Sequence, residues 1–193
     1  EAEARGETNY VVRCTATDQC QEGTVNYVSL TSNNYKGVTM EGIDFDINYV
    51  MDTDNMGRFD MGVNAAKITK YIYQRFASDS VESNEGEMGL PDTRMTPYLT
   101  WGKGDWGVGL TGYHVSGQET DYFGTPYSVD DSMTFNLRVS YQLPWDASVS
   151  LGAINVTDEE PEQNSDWYGW EPFDFSLYDT RGRTVYITYE QSL

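Results

Sequence analysis

The sequence predicts an all-β protein, an antiparallel up-and-down meander forming a partial transmembrane β-barrel of about seven to eight strands. Three observations predict it. Segments of about ten residues alternate apolar and polar side chains, the length and period of a tilted membrane-crossing strand. The connections between these segments alternate short and long, so short periplasmic turns gather at one end and long extracellular loops at the other. And no apolar run approaches the roughly 18 residues that a spanning helix requires.

The elements follow in chain order. A short strand is expected near residues 24 to 31, within a loop. In residues 40 to 50, Ile43, Phe45, Ile47 and Tyr49 oppose Asp44, Asp46 and Asn48. In residues 58 to 66, Phe59, Met61, Val63 and Ala65 oppose Asp60, Gly62 and Asn64. Residues 94 to 101 form a weaker strand ending at Trp101, and residues 106 to 115 set Trp106, Val108 and Leu110 against Gly107, Gly109 and Thr111. The clearest segment is 132 to 142, where Met133, Phe135, Leu137, Val139 and Tyr141 share one face. Thr134, Asn136, Arg138, Ser140 and Gln142 share the other. Residues 147 to 155 continue the pattern with Ala147, Val149, Leu151 and Ala153, and the last strand carries Val185, Ile187 and Tyr189. Turns rich in Gly, Asp, Asn and Pro fall at 51 to 57, 102 to 105 and 143 to 146. Long polar stretches occupy 75 to 93, 117 to 130 and 156 to 179.

Composition is compatible with this reading and narrows the partners. Only 38% of the 193 residues are hydrophobic, which suits strands apolar at every second position and diluted by long loops. A soluble β-sandwich of the carbohydrate-binding kind, secreted from the cell, is the alternative, but sandwich strands are shorter, commonly about 5 to 6 residues. The net charge of -19 argues against nucleic acid and against an acidic ligand. Cys14 and Cys20 stand in a polar segment. A disulfide closing a short loop is the favoured reading, free thiols come next, and a metal site lacks a second Cys pair or a His cluster. The chain opens Glu1-Ala2-Glu3-Ala4 without Met, so a processed or truncated start is expected.

Candidate chemistry is sparse. Asp52-Thr53-Asp54-Asn55-Met56-Gly57 opens like a calcium loop, but Met56 stands at a ligand position and Val63 where the bidentate Glu belongs, so a plain turn is expected. Asp158 and Glu160 would make a glycosidase pair only by the chance expected of abundant carboxylates. His114 has no nucleophile placed beside it, and Asn155-Val156-Thr157, formally a glycosylation acceptor, reads as a loop start. No catalytic residue, metal ligand or cofactor is predicted. The loop Asp166-Trp167-Tyr168-Gly169-Trp170 is different, because aromatics beside carboxylates suit a sugar ring as well as self-packing. Trp167, Tyr168 and Trp170 are the candidate ligand-binding residues.

Toward the C-terminus the residues resemble a known family. Ser140-Tyr141-Gln142-Leu143, then Val149 to Asn155 and Val156-Thr157-Asp158-Glu159-Glu160-Pro161, resembles the penultimate strand and the Asn-Leu-(Thr/Phe)-Asp-x-x-Pro loop start of TonB-dependent receptors. Tyr178-Asp179-Thr180-Arg181-Gly182-Arg183 before a final alternating strand resembles their Tyr-Asp-x-x-Gly-Arg element, and Cys14 to Cys20 leading to Gly42-Ile43-Asp44-Phe45 is similar to a loop and strand of many members. The resemblance implies a place in the bacterial outer membrane and active import of a scarce solute, an oligosaccharide or a metal chelate, without catalysis. It implies as partners the outer-membrane lipid, the remainder of the barrel and its plug, TonB through the N-terminal region, and a small-molecule substrate. Members have a plug and a barrel of about 22 strands. Residues 1 to 193 are therefore expected to be the C-terminal segment of such a barrel, without the plug. The family usually ends in an aromatic residue, where this chain has Leu193.

Overall fold

The computed structural model describes residues 11–17, 19–28, 37–74, 81–122, 124–163 and 173–192, and among them all regular structure is β. The chain divides into two compact units, one of residues 1–38 and 72–82 and the other of residues 39–71 and 83–193. In the first, β1 (Val11–Arg13) pairs antiparallel with β2 (Val25–Val28), and a disulfide joins Cys14 to Cys20 with their Cα atoms 5.9 Å apart.

The long strands are β3 (Gly37–Thr53), β4 (Gly57–Gln74), β5 (Thr93–Lys103), β6 (Trp106–Val115), β9 (Ser132–Leu143), β10 (Ala147–Ile154) and β11 (Thr184–Gln191). They form one seven-stranded antiparallel sheet in the order β11-β10-β9-β6-β5-β4-β3, so each of these strands lies beside its neighbour in this series. The sheet has two edges, β3 and β11, and does not close on itself. Three tight turns at one end join β3 to β4, β5 to β6 and β9 to β10; every connection at the other end is long. That is the segregation predicted from the sequence.

Two differences stand out. Strands β3 and β4 run 17 and 18 residues, well past the 40 to 50 and 58 to 66 of the sequence reading. The alternation blurs there at Ala65-Ala66, so side-chain pattern marks only the part that needs a two-faced surface, whereas backbone pairing continues beyond it. The stretch 117 to 130, expected to be a loop, contains a hairpin of β7 (Gln118–Tyr122) and β8 (Thr125–Val129). Its turn uses Gly124 at φ 81°, whose N–H donates to the Asp121 carboxylate at 2.6 Å.

The register places like with like across the sheet. One row runs Phe59, Trp101, Val108, Val139, Leu151, Ile187, and the row beside it runs Met61, Leu99, Leu110, Leu137, Ala153, Val185. Between them, on the opposite face, lie Asp60, Thr100, Gly109, Arg138, Gly152 and Tyr186. This polar face bonds to itself: the Asn48 amide donates to Asp60 at 2.9 Å and Arg138 to Ser150 at 2.8 Å. Glycines there accommodate tyrosine rings, with Tyr98 lying over Gly62 and Tyr186 over Gly152 in directly opposed pairs, a packing in which a side chain on the glycine would collide with the ring.

Burial is inverted relative to a soluble domain. Among the described residues only Cys14, Val129 and Ala147 are buried hydrophobics, while Gln74, Gln118, Ser150 and Asn155 are buried polar residues. The apolar face is open: Phe45 is 56%, Leu151 56% and Ile187 75% exposed. Monomeric soluble proteins rarely leave a contiguous row of large apolar side chains open to water. No second sheet covers it among the described residues, so a β-sandwich is not the architecture of this sheet.

At the tight-turn end the apolar face finishes in aromatics. Trp106 and Tyr141 lie with ring centroids 4.8 Å apart, Trp145 Nε1 donates to the Tyr189 hydroxyl at 3.3 Å, and Trp101 Nε1 donates to the Met56 carbonyl at 2.6 Å. Trp145 and Tyr189, each with its polar atom bonded and its ring exposed, suit the boundary between hydrocarbon and water.

Candidate solute-facing site at the long-loop end

The site is built on the ends of β6, β9 and β10. Asn155 leaves β10 with φ 50°, a left-handed conformation that Asn tolerates better than most residues. Its backbone N–H donates to the Asn136 amide oxygen at 2.9 Å; its own amide accepts from the Glu159 N–H at 3.0 Å and donates to the Glu159 carbonyl at 2.8 Å. Asp158, also left-handed at φ 59°, accepts from the Arg183 N–H at 2.8 Å, with the Arg183 guanidinium 3.5 Å from its carboxylate. Asn155 and Asp158 thus close the base of the last long loop, Asp158 against Arg183 immediately before β11. The carboxylate that counting alone might offer to an active site is engaged in structure.

Three long connections meet at one side chain. Gln118, 2% exposed, accepts from the Gly89 N–H at 2.7 Å and donates to the Tyr178 hydroxyl at 3.0 Å. The Glu119 N–H donates to the Gly86 carbonyl at 2.9 Å, and the Asp130 N–H donates to the Glu162 carboxylate. Burial raises the Tyr178 hydroxyl above its ordinary pKa, outweighing the bond from Gln118. Asp92 belongs to the same collar. Burial pushes its carboxyl up, but bonds from Ser116 and Thr93 together with Lys67 at 3.5 Å outweigh that and hold it below the usual carboxylate range. Asp131 is held low by the Gly117 N–H at 2.6 Å and then by His114, whose Nε2 lies 3.4 Å away.

Because the Gln118 side chain bonds to two different loops, its replacement has a defined consequence. Gln118→Leu leaves the Gly89 N–H and the Tyr178 hydroxyl without their partners, a cost of about 1–3 kcal/mol. Proteolysis at residues 81–92 is expected to accelerate, and Gly89 amide exchange to quicken, while the strand content stays unchanged. Unaltered protection at Gly89 would refute the role given to Gln118.

Beside this collar a cavity of about 330 Å³ opens on the polar face of the sheet. Tyr113, Ser132 and Thr134 form its wall, with Glu159 and then Leu177, Tyr178 and Arg181 from the last loop opposite. Arg181 chelates Asp179, its Nε and terminal nitrogen lying 3.1 and 2.7 Å from the carboxylate; that bond lowers the Asp179 pKa and raises that of Arg181.

The sequence candidates fare unevenly. Trp167, Tyr168 and Trp170 lie outside the described residues. The segment Asp52 to Gly57 is a turn stapled by Thr53, whose hydroxyl accepts from the Met56 N–H at 3.1 Å and donates to the Gly57 carbonyl at 2.7 Å. No group of three or more His, Cys, Asp or Glu among the described residues could hold a metal ion. Sequence reasoning passed over Gln118, Asn136 and Tyr113. An isolated amide or hydroxyl on a strand carries no local signal, and their meeting depends on register.

Comparison with known proteins agrees with the geometry. The family model described as "TonB dependent receptor-like, beta-barrel" matches residues 8–156, which takes in the sheet from β3 through β10. The Tyr178 to Arg183 motif lies beyond the matched residues. Searches of curated proteins and of solved structures return no match. With the match spanning most of its length, the chain belongs to the TonB-dependent receptor-like β-barrel family.

Proposed function

We propose that this chain forms the C-terminal wall and loops of a bacterial outer-membrane receptor that binds a scarce solute outside the cell and imports it with energy delivered through TonB. The single observation that carries the reading is the seven-stranded meander whose apolar rows are exposed and whose long connections all lie at one end. Lipid takes the apolar rows, and the polar face lines the lumen. In hydrocarbon an unpaired strand edge leaves backbone groups without partners, so β3 and β11 require further strands of a parent barrel. A plug within that barrel and TonB complete the set of partners.

The solute is a neutral or cationic species, an oligosaccharide before a metal chelate, consistent with the net charge of -19 and the aromatic loop. Trp167, Tyr168 and Trp170 are its proposed stacking residues, and each stacked ring contributes about 0.5–1.5 kcal/mol. The test is uptake of labelled oligosaccharides by cells carrying the parent receptor. Uptake is expected to stop when TonB is inactivated and to fall at least about tenfold in a Trp167→Ala/Trp170→Ala variant. Uptake independent of TonB would overturn the transport reading, and unchanged uptake in the double variant would overturn the loop assignment alone.

A further inference from the structure

The cavity on the polar face has a chemistry of its own. Its lining includes Tyr113, Ser132 and Thr134, which carry hydroxyls, and Glu159, which carries a carboxylate, and none of these four side chains is hydrogen-bonded to another of the described residues. The neighbouring polar groups are already committed: Asn136 and Asn155 to the loop base, Asp179 to Arg181. Apolar surface from Val115, Ile154 and Leu177, with two tyrosine rings, fills the space between the uncommitted groups. A small volume with a few convergent, unsatisfied polar groups set in apolar surface is the usual form of a small-molecule site.

Charge selects the ligand class. Among the described residues of the wall, the one uncommitted ionic group is the Glu159 carboxylate, and the Arg181 charge is balanced at 2.7 Å by Asp179. An anionic ligand would meet Glu159 with no free cation to offset it. A divalent cation would find one free carboxylate, where hard cations take six or more oxygens. Hydroxyl groups suit the site: they donate to Glu159, exchange bonds with Ser132, Thr134 and Tyr113, and leave a C–H face to lie against a tyrosine ring.

We infer that the cavity between the polar faces of β6 and β9 and the Tyr178–Arg181 segment binds a neutral, hydroxyl-rich solute of one to two sugar rings. The inference rests on the import reading, for which it supplies a contact site on the barrel wall separate from the aromatic loop. The Tyr178 hydroxyl, held by Gln118, ties the roof of this site to the other two long connections. An occupied cavity therefore favours the joined state of all three.

The test is calorimetric titration of the detergent-solubilised parent receptor with glucose, maltose, cellobiose and xylobiose, and with a ferric tris-catecholate as the anionic comparison. At least one sugar is expected to bind and the ferric complex is not. Thr134→Val and Glu159→Gln, close in shape to the native residues, are each expected to weaken sugar binding about three- to tenfold with strand content unchanged by circular dichroism. Tyr113→Phe tests the third hydroxyl without removing the ring. The inference is overturned by absence of sugar binding to the folded receptor, by sugar binding that these variants leave unaltered, or by preferential binding of the ferric complex. The import reading fails separately, through TonB-independent uptake, and that outcome would leave measured sugar binding at the cavity intact.

Discussion

Leu151→Arg is expected to impair stable insertion of the parent barrel into lipid while leaving the behaviour of this segment in water no worse. Leu151 sits near the middle of β10, between Val139 on β9 and Ile187 on β11, and is 56% exposed on the apolar face. In water, charging an exposed leucine changes stability by less than about 0.5 kcal/mol, because nothing is buried and no cavity forms. In a bilayer the same guanidinium must be carried into hydrocarbon, at about 2–4 kcal/mol near the midplane. The two environments thus predict opposite outcomes for one substitution. The measurement is folding into lipid vesicles, followed by heat-modifiable electrophoretic mobility. Ser150→Arg is the wrong control, since Ser150 is buried and bonded to Arg138. Thr188→Arg, on the polar face of β11, is the right one and is expected to insert almost as well as the parent chain. Equal insertion of Leu151→Arg would mean that this face does not meet lipid.

Gly57→Ala is expected to destabilise the sheet by about 3 kcal/mol or more, from two causes that add. Gly57 begins β4 immediately after the tight turn, at φ 91°, a backbone region that costs a side-chain-bearing residue about 1–3 kcal/mol. A Cβ there would also meet the Gly102 carbonyl oxygen and stand 2.8 Å from Lys103 Cβ, both on β5. Backbone cannot swing aside as a side-chain tip can, so relief requires moving one turn away from the next, with an overpacking cost of about 1–3 kcal/mol. Gly152→Ala gives the contrast. The three atoms nearest its added Cβ all belong to the side chain of Tyr186, which can turn away, and its φ lies outside the left-handed range. Urea unfolding from micelles should rank the two, Gly57→Ala well below Gly152→Ala. Equal midpoints would show that the tight turn adapts more readily than its geometry allows.

Much of the fold was legible because a membrane-crossing strand must satisfy two solvents at once. Phe135, Leu137 and Val139 against Thr134, Asn136 and Arg138 report the period directly, and turn residues such as Asp54, Gly104 and Pro144 mark where the chain reverses. Where only water meets both faces that constraint lapses. Residues 67–74 of β4 and the β7–β8 hairpin therefore carry no clear alternation, and their pairing was not foreseen. For Cys14 and Cys20 a disulfide was the favoured reading ahead of free thiols, and the sulfurs are joined in the structure.

The site was less legible than the fold for a related reason. Asn155, Asp158 and Arg183 were visible as motif residues, yet their work in closing the base of a loop depends on β9 and β11 lying on either side of β10. Gln118, Tyr178 and Gly89 stand far apart along the chain and meet only through loop packing. Sequence alone determined the strand period, the two faces and the segregation of short turns from long loops, because each is written in neighbouring residues. Tertiary structure alone decided which polar side chains are consumed in holding the loops and which remain free for a solute. Hydrogen-bond satisfaction belongs to pairs of groups brought together in space, and no single residue type discloses it.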